Sequence, residues 1–278
     1  MKVKRAMSKN VVSVSVPGNR EKALSLMRQE NRSVLPVIKE GTNKLVGLLA
    51  RSDLIGNPDE DQIAMLMSRD LVTVSPDDDI EEAARRMIDN QVRRVPVVND
   101  DEELVGIITS FDLVSQALAN LDISNPVEDY MITTVPTTWT GTPLNVAFET
   151  MNQFGLKSVL ALNDHAKLAG ILTETDFIAE SEIKSHRSEH SSTVGTEGDK
   201  WSWDSTSVLY IEKNLLTFAD KLVKDVAVDK VETANTKTKV TDCAKKMKSL
   251  HIEQIPVTGV DGELVGLVRA SDLIKALI

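Results

Sequence analysis

The chain has 278 residues, 41% of them hydrophobic and 4% aromatic, with a formal net charge of −10 and a sequence pI of about 5.0. That length supports sizeable aliphatic cores, and the acidic balance disfavours binding along a nucleic-acid backbone, which needs clustered Lys and Arg. A lone cysteine, Cys243, excludes an internal disulfide. No apolar run approaches membrane-spanning length, and Met1-Lys2-Val3-Lys4-Arg5 lacks the apolar stretch of a secretory signal, so a cytoplasmic protein is expected.

Val11 to Val16 is a β-branched run closed by Pro17-Gly18, which predicts a short strand. Ala23, Leu24 and Met27 follow at offsets of three and four, one face of a helix. Two apolar strands, Val34 to Ile38 and Leu45 to Leu49, flank the polar segment Glu40-Gly41-Thr42-Asn43 and read as a hairpin. Asp53-Leu54-Ile55 opens a second helix. After the polar link Asn57-Pro58-Asp59-Glu60-Asp61 the same order returns. Ile80, Ala83, Ala84 and Met87 make the helical face, preceded by Asp77, Asp78 and Asp79, where a helix dipole favours negative charge. Val95-Pro96-Val97-Val98 and Gly106-Ile107-Ile108 make the hairpin, and Asp112-Leu113-Val114 opens the closing helix.

The order recurs a third and a fourth time, with Val159-Leu160-Ala161-Leu162 and Ile255-Pro256-Val257 as the middle strands. Gly170 to Asp176 and Gly266 to Asp272 repeat the ending Gly-apolar-apolar-x-x-x-Asp of Gly47 to Asp53 and Gly106 to Asp112. An opening signature recurs as Met7-Ser8, Met67-Ser68 and Met131-Ile132-Thr133, and weakly at Val226 to Val231. A repeat period names the structural unit, here strand, helix, strand, strand, helix. Cys243 lies on an apolar helical face with Val240, Ala244 and Met247 and reads as core.

Between Asp176 and Val226 lies a segment that no other junction has. Ser185 to Asp199 is polar and rich in Gly, Ser and Thr and is expected to be a mobile loop. Trp201, Trp203, Val208, Leu209, Tyr210, Leu215, Leu216 and Phe218 follow as an apolar stretch, expected to pack on the chain's own body. His186 and His190 lack a third ligand, and no metal is expected there.

These repeats resemble the cystathionine-β-synthase (CBS) domain family. The resemblance rests on the Met-Ser/Thr opening, the apolar-Pro-Val-Val strand and the Leu-Val-Gly-apolar-apolar-x-x-x-Asp ending. It implies an α/β fold of four CBS domains forming two pairs (Bateman modules) that stack into a disc, as in the γ subunit of AMP-activated protein kinase. The boundaries it implies are 1–60, 61–120, 126–184 and 225–278, with an insertion at 185–224. It further implies binding of AMP, ADP or ATP, with S-adenosylmethionine or methylthioadenosine as rival ligands.

The repeated aspartate has a physical use in such a site. A carboxylate at a helix start can accept ribose hydroxyls, and the helix amides suit a phosphate; the competing reading is a plain N-cap. Repeat two carries Arg93, Arg94 and Pro96, then Thr109, Ser110 and Asp112. Repeat three carries Lys157 and Ser158, then Thr173, Glu174 and Asp176. The outer copies are reduced. Repeat one has Ser33-Val34, with Arg32 one step removed, and Ala50 before Asp53. Repeat four has Glu253-Gln254, and Arg269 before Asp272; Arg269 compensates only if it turns toward the ligand.

No nucleophile elbow, zinc-spaced Cys/His cluster or Walker loop occurs in the sequence. The expectation is therefore a non-enzymatic, energy-sensing regulator that acts in trans on a protein partner, as a monomeric disc or a homodimer. The rival class is an interaction scaffold with degenerate sites.

Overall fold

The computed structural model describes residues 1–30, 32–57, 59–173, 176–177, 181–190, 209–218 and 220–278. Each repeat builds a small sheet in which the middle strand pairs parallel to the first and antiparallel to the third. In repeat one these strands are Val14–Val16, Val34–Lys39 and Leu45–Ala50. In repeat three they are Thr137–Trp139, Ser158–Leu162 and Leu168–Thr173. In repeat four they are Ala234–Asn235, Gln254–Thr258 and Leu264–Arg269. Repeat two keeps the hairpin, Arg94–Val98 with Leu104–Thr109, and reduces the first strand to a single bridge between Val74 and Val97. The β-α-β order forces the parallel crossover, and the four helices that make it are Arg20–Gln29, Ile80–Asp89, Leu144–Gln153 and Val240–Leu250.

Leu160, where the other repeats have proline, has a local reason. Its amide donates to Pro136 O at 3.1 Å, a bond to the first strand of its sheet that proline cannot make.

The opening segment of each repeat docks away from its own sheet. Val3 N donates to Asp78 O and Lys4 N to Pro76 O, both 2.9 Å, and Val3 is buried in the core of repeat two. Lys4 meets Asp77 at 2.6 Å and holds that carboxyl below its usual range. Repeat two returns the exchange: Arg20 N donates to Asp61 O at 2.7 Å, and Ile63 is buried in the core of repeat one. Val127 N donates to Thr238 O in repeat four, and Val223 N to Thr142 O in repeat three. The opening methionine then lies on the partner's recurring glycine. A Cβ at Gly106 would stand 2.5 Å from Met7 Sδ, at Gly47 2.5 Å from Met67 Sδ, and at Gly266 2.6 Å from Met131 Sδ. At Gly170 the neighbours are Val228 O and the smaller Ala227. The weak fourth opening of the sequence is thus the one that packs without a methionine.

Two compact units emerge, residues 1–133 with 232–260 and 265–278, and residues 134–231 with 261–264. They do not divide the chain between the second and third repeats, since the first unit takes in most of repeat four as well as repeats one and two. The reason lies in the first unit, where repeats two and four share one core. The closing helix of repeat two, Leu113–Ala117 continued by Leu118–Asn120, packs on Val240–Leu250, and Leu113, Val114, Leu118, Cys243, Ala244, Met247 and Leu273 form a single buried cluster. Thr241 Oγ1, also buried, donates to Leu121 O at 3.0 Å and accepts from Ile123 N at 2.9 Å. Burial pushes the Cys243 thiol up to about 12, so this cysteine is a packing residue. The second unit has its own cluster around Leu144, Met151, Leu172 and Phe177, with the Phe148 and Phe177 rings 5.3 Å apart.

In the insertion, Ser181–His190 pairs antiparallel with Leu209–Phe218. Ser185 to His190 therefore belongs to a strand and not to the expected loop. Residues 191–208, including Trp201 and Trp203, lie outside the described residues.

The methionine–glycine contact makes a coupled pair. Gly47→Ala should destabilise by about 1–3 kcal/mol through overpacking, and Met67→Ala by about 2–5 kcal/mol through a cavity. The double variant should cost clearly less than the sum, because removing the thioether makes room for the methyl group. Urea denaturation of the three variants measures the coupling, and strict additivity would contradict it.

Candidate functional site

The recurring aspartate closes a helix start in every repeat. In repeat two, Asp112 Oδ2 accepts from Thr109 N at 2.8 Å and from Thr109 Oγ1 at 2.7 Å, while Asp112 N donates to Thr109 Oγ1 at 3.1 Å. In repeat three, Asp176 Oδ2 accepts from Thr173 N and Thr173 Oγ1, each at 2.7 Å. In repeat one, Asp53 Oδ2 accepts only from Ala50 N, at 2.7 Å. The aspartate is thus not the N-cap itself but the third residue of the helix, reaching back to an N-cap that is Ala50 in repeat one and Thr109 in repeat two, and in repeats one to three this engages one oxygen of each carboxylate. Oδ1 of Asp53, Asp112 and Asp176 carries no hydrogen bond among the described residues. Glu174 lies outside the described residues.

Repeat four differs. Arg269 Nε donates to Asp272 Oδ2 at 2.7 Å and Arg269 Nη2 to Asp272 Oδ1 at 3.0 Å. This bidentate pair engages both carboxylate oxygens, and the Asp272 side chain is only 6% exposed. The hydrogen bond to Asp272 raises the Arg269 guanidinium above its usual range. Arg269 thus turns onto its own aspartate and not toward a ligand, which corrects the compensating role that the sequence suggested for it.

The residue that opens the middle strand is fixed by the loop that carries the aspartate. Ser110 N donates to Arg93 O at 2.9 Å, Arg51 N to Ser33 O at 2.8 Å and Ala270 N to Glu253 O at 2.8 Å. The residue before the middle strand and the aspartate-bearing turn are therefore joined by backbone in repeats one, two and four. In repeat two, Pro96 and Ser110 are buried, Arg94 is half-buried and Arg93 is exposed. Burial lowers the Arg94 pKa, and the positive charge of Arg93 and then of Arg32 adds to this, while Glu253 of repeat four opposes it. Burial likewise raises the Asp112 carboxyl against the Thr109 hydrogen bonds and the attraction of Arg32. Arg32, Arg93, Arg94, Asp112 and Glu253 thus share one electrostatic neighbourhood within the first unit. Arg32 matters more than its offset position suggested; its signal in the sequence was that it precedes Ser33, whose carbonyl anchors the turn of its own repeat. In the second unit, Lys157 is exposed and Ser158 half-buried at the equivalent strand opening, Ser158 paired in register with Thr173.

A family model described as CBS domain matches residues 3–59, 62–118, 127–182 and 223–278. The chain belongs to the CBS domain family. Protein MJ1225 of Methanocaldococcus jannaschii is 23% identical over 293 residues, spanning 98% of this chain and 97% of that protein. A solved structure of MJ1225 superposes with a TM-score of 0.71 at 21% identity. The structure of an uncharacterized conserved protein from Pyrococcus horikoshii superposes with a TM-score of 0.70 at 25% identity, over 100% of both chains. Inosine-5′-monophosphate dehydrogenase of Methanocaldococcus jannaschii is 32% identical over 116 residues, which cover 41% of this chain and 23% of that enzyme. The four CBS repeats are thus supported by the family match and the fold by full-length structural neighbours. No helix among the described residues is long and apolar enough to cross a membrane.

The raised Asp112 carboxyl gives a signed prediction. A carboxyl whose folded pKa lies above its unfolded value disfavours the folded state once ionised, so the penalty is present at neutral pH and disappears as pH falls through the folded pKa. Asp112→Asn keeps an oxygen acceptor for the Thr109 cap. It should therefore raise the thermal midpoint at pH 7, and the gain over the native chain should shrink as the pH is lowered into the carboxylate range. A midpoint that drops at pH 7, with the deficit shrinking at low pH, would reverse the assignment.

Proposed function

We propose that this protein is a regulatory, non-enzymatic sensor of adenosine-type ligands, AMP, ADP or ATP, that acts in trans on a protein partner. One observation carries the reading. In repeats two and three a Thr-x-x-Asp turn spends one carboxylate oxygen on its own helix cap and leaves Oδ1 without a hydrogen bond among the described residues, next to a strand that opens with basic residues. A carboxylate oxygen held at a helix start suits a ribose diol, and the neighbouring helix amides and cations suit a phosphate. In this reading Asp112 and Asp176 hold ribose hydroxyls, Arg93, Arg94 and Lys157 approach phosphates, Thr109 and Ser110 line the site of repeat two beside Pro96, and Ser158 and Thr173 line that of repeat three. The two-arginine opening of repeat two favours a phosphorylated ligand over the sulfonium of S-adenosylmethionine. Repeat four takes no nucleotide, because Arg269 already occupies the Asp272 carboxylate.

A ligand shifts a conformational equilibrium only by its differential affinity for the two states. Asp112 lies one residue before the helix that shares a core with repeat four, so occupancy at repeat two acts on the element that joins those repeats.

Calorimetric titration with AMP, ADP, ATP, S-adenosylmethionine and methylthioadenosine tests the reading. Two phosphorylated ligands per chain are expected. Asp112→Ala and Asp176→Ala should each weaken one site by roughly ten- to a hundredfold, the worth of a charge-assisted hydrogen bond, and Asp53→Ala by much less. Preference for S-adenosylmethionine or methylthioadenosine would replace the ligand class, and no binding by any of the five would leave a scaffold.

Arg269→Thr combined with Glu253→Arg rebuilds at repeat four the Thr-x-x-Asp turn and the basic strand opening of repeats two and three. A third binding event in the same titration is expected for this variant, and unchanged stoichiometry would show that the ion pair is not what closes the site.

A further inference from the structure

Beside the aspartate turn of repeat two, a cleft of about 570 Å³ runs along the seam between the closing helix of that repeat and the helix Val240–Leu250 of repeat four. Its volume is in the range of small-molecule sites. One wall carries Phe111, Gln116 and Asn120; the other carries Lys245, Lys248 and His251. None of the residues lining it is acidic, in a chain whose formal net charge is −10. Lys245 has only a loose contact, 3.9 Å to Asp242 with both side chains about 60% exposed, and such a pair contributes little. Lys248, Gln116 and the His251 ring make no side-chain hydrogen bond among the described residues. Asn120 Nδ2 is bound to Gln116 O at 2.7 Å.

His251 sits in the left-handed region, φ 54 and ψ 41, at the end of its helix, as Gln91 (φ 54) and Gly155 (φ 60) do at the matching helix ends of repeats two and three. Its ring lies 6.4 Å from that of Phe111 across the mouth of the cleft.

We propose that this cleft is a second ligand site, separate from the aspartate turns, for a compact phosphate-type polyanion. Lys245 and Lys248 supply the charge, and His251 and Gln116 donate hydrogen bonds. Because its walls come from repeats two and four, the anion bridges the seam. Phe111 directly precedes Asp112, so the ligand borders the ribose-binding turn without using its carboxylate.

Inorganic pyrophosphate is the probe, titrated calorimetrically into the full-length protein at fixed ionic strength, with AMP titrated in parallel. The test variants are Lys245→Ala with Lys248→Ala, and Arg93→Ala with Arg94→Ala. All four side chains are at the surface or half-buried, and circular dichroism checks the fold. Pyrophosphate should bind the native chain and lose roughly tenfold or more in affinity in the lysine variant, with the arginine variant nearly unaffected. Absence of pyrophosphate binding, equal binding by the lysine variant, or loss confined to the arginine variant would each overturn the proposal. AMP reads out the adenosine function separately: pyrophosphate binding through the lysines with no adenosine ligand bound would overturn that function alone, and the converse would overturn this site alone.

Discussion

The architecture depends on an exchange of opening segments, locked where a methionine thioether lies on a glycine of the partner repeat. A strand glycine ordinarily weakens its sheet. Here the missing side chain is the point, since any Cβ at Gly47, Gly106 or Gly266 would overlap the methionine sulfur. The flexible, polarizable thioether fills the space. Each repeat alone is a small sheet with one crossover helix and a brief closing helix, too little to bury a core in isolation. Lending Val3 to repeat two and Ile63 to repeat one gives each core a residue from the other chain segment.

The same economy governs the aspartate turns. Binding carboxylates must be held rigidly, and a helix start with orphan amides must be satisfied. One aspartate does both when it caps with Oδ2 and keeps Oδ1. Repeat four shows how easily the arrangement closes: replacing threonine by arginine exchanges a hydroxyl cap for a guanidinium that takes both oxygens. The repeats therefore differ in the residue three before the aspartate, while the aspartate and its capping geometry persist. Burial of Asp112 raises its carboxyl and so carries a cost to the fold at neutral pH.

Repeats two and four meet along helices and not along sheets. Their shared cluster contains Cys243, Ala244 and Met247 facing Leu113, Val114 and Leu118, and the buried hydroxyl of Thr241 ties the chain at Leu121 and Ile123 to the helix start. A seam of close-packed aliphatic side chains responds to displacement by repacking in discrete steps. Residues on both sides of it also carry charge: Arg93 and Arg94 at one end, Lys245 and Lys248 along the other, with Glu253 acting on Arg94.

The amino-acid sequence by itself determined the repeats, their element order and the recurring Asp-bearing turn. These are local matters, set by hydrophobic period, by Pro and Gly, and by short-range capping, and all are legible within a window of some ten residues. It also marked Cys243 as core, from its helical face alone. Only the tertiary structure decided which repeat each opening segment serves, because Met7 and Gly106 meet from different repeats, far apart in sequence, and leave no local pattern. It decided that Arg269 turns to Asp272, since a rotamer choice between a carboxylate and a ligand is not written in residue spacing. The strand at Ser181–His190 was illegible for a related reason: its polar composition resembles a loop, and its hydrogen bonds come from Leu209–Phe218, distant in sequence. The sharing of one core by repeats two and four was equally hidden, because apolar residues on a helix announce burial and not the identity of what buries them.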